Sequence, residues 1–190
     1  MGTKIKQLMV LAALLVLMPV DQAHAFCIGP IIKEIKALAQ HPLVVESVKK
    51  GNAKGLTLEQ IKEIDERWIQ QKGKVPEAQA MLESTVSKLL ALELAQKIYL
   101  KEAILTGRLG ENVAMSPTTT DYWQGDEEKY LAVFDENIPP SKPDHIISRA
   151  KWDESSRAMI AKVSVGVFDG PRMIGTLTVG VDLKRVPQTH

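Results

Sequence analysis

The segment Asp121-Tyr122-Trp123-Gln124-Gly125-Asp126 sets two large amphipathic aromatics between two carboxylates. Recognition of a small ligand needs apolar walls and a few placed polar groups, and this segment supplies both. Aromatic faces attract cations, and carboxylates complement amines. The chemistry expected is binding of a small polar molecule at Tyr122, Trp123 and Asp126. A second reading uses the same side chains structurally: Tyr122 and Trp123 plug a sheet, and Asp126 caps a helix.

Other chemistry finds little support. His41, His145 and His190 lie far apart without ligand-like spacing, so no metal is expected. No Cys-x-x-Cys-His run exists, which excludes covalent haem, and there is no nucleophile elbow or phosphate loop. The chain is read as a non-enzyme without a cofactor. Asp153-Glu154 and Asp126-Glu127-Glu128 read as solvated faces. In Asp65-Glu66-Arg67-Trp68, the tryptophan falls on an apolar helical face and reads as core.

The chain opens as an export signal does. Lys4 and Lys6 precede an apolar run, Leu8 to Val20, of 13 residues. That is well short of the ~20 a membrane-spanning helix needs. Ala23-His24-Ala25 offers small residues at the positions a signal peptidase reads. The expectation is a signal peptide over 1–25 and a mature protein from Phe26, periplasmic or secreted. Phe26 before Cys27 does not fit a lipoprotein signal. Cys27 is then a free thiol or an intermolecular link. The whole chain carries 24 basic and 23 acidic residues. Loss of Lys4, Lys6 and Asp21 brings the formal charge to zero, and no polybasic run remains, so nucleic acid is not an expected partner.

The mature 26–190 suits one domain, helical over 26–96 and strand-rich over 97–190. Apolar spacing predicts a helix over Ile31–Lys49, interrupted at His41-Pro42. Gly51, Asn52 and Gly55 read as a turn. Thr57 and Gln60 form a capping box, with Leu56 and Ile61 as its staple and Trp68 on the buried face. Gly73 stops that helix, and Pro76 starts another that runs to about Ala95. Strands follow at Ile98–Thr106 and Asn112–Ser116, joined by the turn 107–110. After them come a short helix over Asp126–Phe134 and strands at Ile146–Trp152, Met159–Phe168 and Met173–Leu183. Gly175 and Gly180 in the last strand predict a bulge or a close backbone approach.

Helices first, then five meandering strands with a helix after the second, give an α+β fold: N-terminal helices packed on a five-stranded antiparallel PAS-like sheet. Four segments carry a resemblance to the Cache domains, the extracytoplasmic PAS-like sensors of bacterial chemoreceptors and histidine kinases. They are Leu38 to Val44, the hairpin around Gly110 to Ala114, Thr120 to Glu127, and Met173 to Leu183. Two positions depart from the family pattern. Gly107 follows Thr106 where the family commonly has an aspartate, and Gly166 follows Val165 where it commonly has a proline.

The resemblance implies a pocket between the sheet face and the loop-helix segment. It points to Tyr122, Trp123 and Asp126, and to Arg149 and Trp152 on the facing strand. It also implies an exported sensor-like binding protein without its own transmembrane or output domain, acting through a membrane receptor or as a homodimer along the N-terminal helix. The ligand would be an amino acid, an amine or a carboxylic acid. The alternative is a structural or interaction module whose pocket its own side chains fill.

Overall fold

The computed structural model describes residues 20–154 and 156–187, with side chains from Ile28 onward. Most of the expected export signal, the Cys27 thiol and His190 lie outside the described residues. Helix α1 (Val20–Ala39) gives way to α2 (Pro42–Ala53) where the sequence places His41-Pro42. His41 is extended and its Nδ1 accepts the Leu43 N–H at 3.2 Å, so it caps the helix that Pro42 begins. The expected turn at Gly51-Asn52 is instead the last turn of α2. Asn52 is held there by its side chain, which donates to the Ile174 carbonyl and accepts the Arg108 N–H, both at 2.8 Å. These long-range bonds outweigh a local turn preference.

Helix α3 (Leu58–Gln70) carries the expected capping box, with both reciprocal Thr57–Gln60 bonds made. Past its end, the Gly73 N–H returns to the Trp68 carbonyl at 2.9 Å, with Gly73 at φ 72°. The single helix expected from Pro76 is two: α4 (Pro76–Glu83) and α5 (Thr85–Gln96). Ser84 adopts an extended conformation and accepts the Ser87 N–H at 3.2 Å. A serine competes well as a cap, and the break redirects the chain. Val75 and Ala78 pack with Ile61 and Trp68, whereas Val86 and Leu90 join the main core.

Strands β1 (Leu100–Thr106), β2 (Asn112–Ser116), β3 (His145–Ile147), β4 (Lys151–Asp153), β5 (Ala158–Asp169) and β6 (Arg172–Asp182) form one antiparallel sheet. Its order is β2-β1-β6-β5-β3, with β4 also paired to β5. The predicted strand Ile146–Trp152 is thus broken in two, and both pieces pair with β5 at one edge. The fold is α+β, with the N-terminal helices on an antiparallel sheet. The main core lies between α1, α2, α5 and the sheet face carrying Ala103, Leu105, Val163, Val165, Leu177 and Val179.

Both glycines of β6 mark irregular backbone. A Cβ on Gly175 would run into the Thr106 carbonyl oxygen, and Gly180 stands beside the register shift between Leu100 and Glu102. In the β1–β2 turn, the acid that Gly107 lacks comes from the other side. Glu111 Oε1 occupies the space a Cβ at Gly107 would need, and Oε2 of the same carboxylate accepts the Leu109 N–H at 3.0 Å. Helix α6 (Glu128–Leu131) is shorter than expected. Its N-cap residue is Glu127, not Asp126, and no side chain makes the cap bond.

Candidate functional site

Side chains alternate across a strand, so the sheet face away from the main core carries Glu102, Ile104 and Thr106 of β1, Lys162 and Ser164 of β5, and Thr176 and Thr178 of β6. It is a polar face, yet well covered. The hydroxyls of Thr106 and Thr176 meet at 2.8 Å, as do those of Ser164 and Thr178, and all four residues are buried. These pairs satisfy groups whose burial would otherwise be costly. Farther along, the Lys162 ammonium meets the Glu102 carboxylate at 3.1 Å.

Beside this polar floor opens a cleft of about 350 Å³. Its floor is formed by Glu102, Ile104, Ile160 and Lys162. One wall is the loop Pro117–Asp121 with Gln124, continuing to Glu127 and Lys129; Asp153 and Ser156 close another side. Lys129 is buried, and its ammonium is paired with Glu127 at 2.6 Å. Gln124 is 1% exposed; its Nε2 donates to the Asp121 carboxylate at 2.6 Å and to the Asp121 carbonyl at 3.3 Å. Among the described residues, Gln124 Oε1 and Ser156 Oγ are buried without a hydrogen-bond partner. Among the described residues, no three His, Cys, Asp or Glu side chains converge as a metal centre would require.

The aromatic pair of the 121–126 segment faces the other way. Tyr122 is buried against Trp68, ring centroids 5.5 Å apart, in the smaller cluster with Ile61, Val75 and Met115. Burial pushes the Tyr122 phenol up to about 12, so it stays neutral. Trp123 packs on the same cluster, donates its Nε1–H to the Leu109 carbonyl at 2.8 Å, and carries the Lys62 ammonium 4.8 Å from its ring centroid. Asp65 Oδ1 accepts the backbone N–H of both Tyr122 and Trp123.

The remaining expected residues are dispersed. Asp126 is exposed just before α6, Arg149 is exposed in the break between β3 and β4, and Trp152 is 54% exposed, donating to Glu154 at 2.9 Å. None of Tyr122, Trp123, Asp126, Arg149 and Trp152 lines the cleft, although Asp121 and Gln124 of the same segment do. Sequence reasoning passed over Glu102, Lys129 and Lys162. Charged residues placed among the apolar residues of β1 and β5 were the available signal for Glu102 and Lys162.

No family model and no curated protein sequence matches this chain. Solved structures do align with it. The sensor domain of the V. cholerae histidine kinase DctB aligns at 10% identity over 87% of this chain and 54% of that one, with a TM-score of 0.42. The ligand-binding domain of the Campylobacter jejuni chemoreceptor Tlp3, in complex with L-valine, aligns at 12% identity over 87% and 68%, TM-score 0.41. The E. coli DcuS sensor domain aligns at 14% identity over 67% and 90%, TM-score 0.38. This chain spans about half the length of the DctB domain. All three are sensor domains of the Cache type, the type the sequence resembles. Among the described residues, no helix is long and apolar enough to cross a membrane.

Proposed function

We propose that this chain is a sensor-type domain that binds a small polar molecule in the cleft between the β1–β5 face and the segment 117–129. The observation that carries the reading is the cleft itself, where the apolar side chains of Ile104 and Ile160 stand beside Asp121, Gln124 and the Lys162–Glu102 pair. A concave site with apolar walls and a few placed polar groups suits a small polar ligand. The charged pairs Lys162–Glu102 and Lys129–Glu127 neutralise each other. That arrangement suits holding a molecule rather than transforming it.

In this reading, Tyr122 and Trp123 act from behind the site by fixing the backbone that presents Asp121 and Gln124. Asp126 and Trp152, each next in sequence to a cleft-lining residue, belong to its margin; Arg149 stands in the break between β3 and β4. The signal-like opening of the chain supports an extracytoplasmic location, which N-terminal sequencing of protein from a periplasmic fraction would check. A membrane partner would dock at the end of the sheet where Glu34 of α1 reaches Lys97 at 3.1 Å and Tyr99 receives the Asp182 N–H at 2.8 Å.

A thermal-shift screen of amino acids, amines and small carboxylic acids tests the central claim. A ligand that binds only the native state raises the melting temperature. The shift should vanish in Ile160→Trp, which fills the cleft floor. A shift that survives that substitution would move the site elsewhere.

A further inference from the structure

We infer that the protein carries a second binding site, for a small oxyanion, carboxylate or phosphate, on the Arg172 guanidinium. The site is a separate cleft of about 510 Å³. It lies at the other ends of β1 and β5 from the cleft described above. Three elements supply its cations: Lys49 of α2, Arg108 just after β1, and Arg172 at the start of β6. Two of these cations have a partner. Lys49 meets the Asp169 carboxylate at 2.9 Å, and Arg108 meets Glu136 at 3.3 Å. Among the described residues, the exposed Arg172 side chain makes no hydrogen bond or ion pair. Three cations against two acids leave one positive charge over in the lining.

The frame around these cations is tied together by Asn52, which lines the same cleft. Its side chain donates to the Ile174 carbonyl of β6 and accepts the Arg108 N–H, both at 2.8 Å. The Arg108 carbonyl in turn accepts the Tyr130 hydroxyl at 2.6 Å. Backbone held in this way presents the cations in place, which lowers the ordering cost of binding. Donors are in excess. Arg172 has its whole fork of N–H groups to offer, and Arg108 uses only Nη1 toward Glu136. The acid partners, Asp169 and Glu136, are 48% and 60% exposed, and ion pairs so exposed hold little energy. An arriving anion therefore shares Lys49 and Arg108 without breaking a strong bond. A planar guanidinium matches the paired oxygens of carboxylate and phosphate. The two acids at the rim disfavour a polyanion and fit the site to a ligand with one oxyanion group.

Inorganic phosphate, butanoate and butylammonium are the probes, each followed by titration calorimetry at low salt and by the NMR signal of the Arg172 Nε–H. The expected result is that one or both anions bind and shift that signal while butylammonium does not. The tighter of the two anions tells a phosphate ligand from a carboxylate. Arg172→Gln should weaken the binding by about tenfold or more. Arg108→Gln should weaken it as well, and it serves if Arg172→Gln fails to fold. Asp169→Asn releases Lys49 and should tighten it. Anion binding that is unchanged in both arginine variants would overturn the site, as would binding of butylammonium in place of the anions or of no probe at all. Ile160→Trp should leave the anion site intact, whereas a ligand of the first cleft is lost in Ile160→Trp and indifferent to Arg172→Gln. The two sites therefore stand or fall separately.

Discussion

Asp65 and Tyr122, on α3 and on the loop after β2, are joined by a 2.7 Å hydrogen bond from the Tyr122 N–H to Asp65 Oδ1, and the same oxygen takes the Trp123 N–H at 3.0 Å. One carboxylate thus satisfies two successive amides and pins the loop to the helix. Asp65→Ala leaves both without this partner and should cost about 1–3 kcal/mol in urea denaturation. It should also weaken ligand binding, because Asp121 and Gln124 hang on that loop. Unchanged stability would mean that water replaces the carboxylate freely.

The two neighbouring tryptophans should separate cleanly on substitution. Trp68 is fully buried, and its Nε1–H donates to the Thr119 carbonyl at 2.9 Å. Trp68→Ala should therefore cost about 3–5 kcal/mol. Trp123 is only half-buried, and Trp123→Phe keeps the ring but loses the bond to Leu109, a cost of about 0.5–1.5 kcal/mol. Chemical denaturation of both variants gives the ordering, and the reverse order would contradict the packing described.

Two carboxylates should give opposite pH trends. Burial raises the Glu111 carboxyl above its ordinary value, against the pull of the backbone amides and of Arg108 and Lys54. A raised folded-state value means that its contribution is present below the ordinary carboxylate range and is lost as pH rises through the raised value. The melting temperature of Glu111→Gln relative to the unsubstituted protein should then increase with pH above that range. Asp135 behaves the other way. Its oxygens accept from the Ser141 hydroxyl and N–H at 2.6 Å each, from the Asn137 N–H and side-chain amide, and from the Lys142 N–H, which hold its carboxyl well below the usual range. Its contribution is present above the ordinary range and is lost as pH falls, so Asp135→Asn should lose its disadvantage in acid. Parallel pH profiles for both variants would contradict this assignment.

Gly175 lies against the Thr106 carbonyl oxygen, a backbone atom that cannot swing aside. Gly175→Ala should cost about 1–3 kcal/mol, as overpacking of a tight site does. Gly170, at the β5–β6 turn, has open space around it, so its substitution is limited by its φ of 60° alone. A differential scanning measurement on Gly175→Ala that shows no loss would argue that β1 and β6 can separate locally.

What was legible in the sequence was mostly local. The Thr57–Gln60 capping box, the His41-Pro42 break and the Asn112–Ser116 strand depend on residues within a few positions of one another. The break at Ser84 was hidden because the spacing of Met81, Leu82, Val86 and Leu90 continues a helical pattern across it. Asn52 was misassigned because its partners lie 56 and 122 residues away. The candidate site shows the same division. The 121–126 segment stood out by composition, but which side chains it turns to the cleft is set by Asp65 on α3, and adjacency in sequence carries no trace of that clamp.

In the order β2-β1-β6-β5-β3, the central hairpin β5–β6 is also the last part of the sheet to be synthesised. The apolar faces of α1 and α2 have their main covering surface there, so they leave the ribosome long before anything can bury them. At about 5–20 residues per second, that delay is on the order of ten seconds. A nascent chain of this design does not close its core midway through translation. It stays open to chaperones until Arg172–Asp182 is complete.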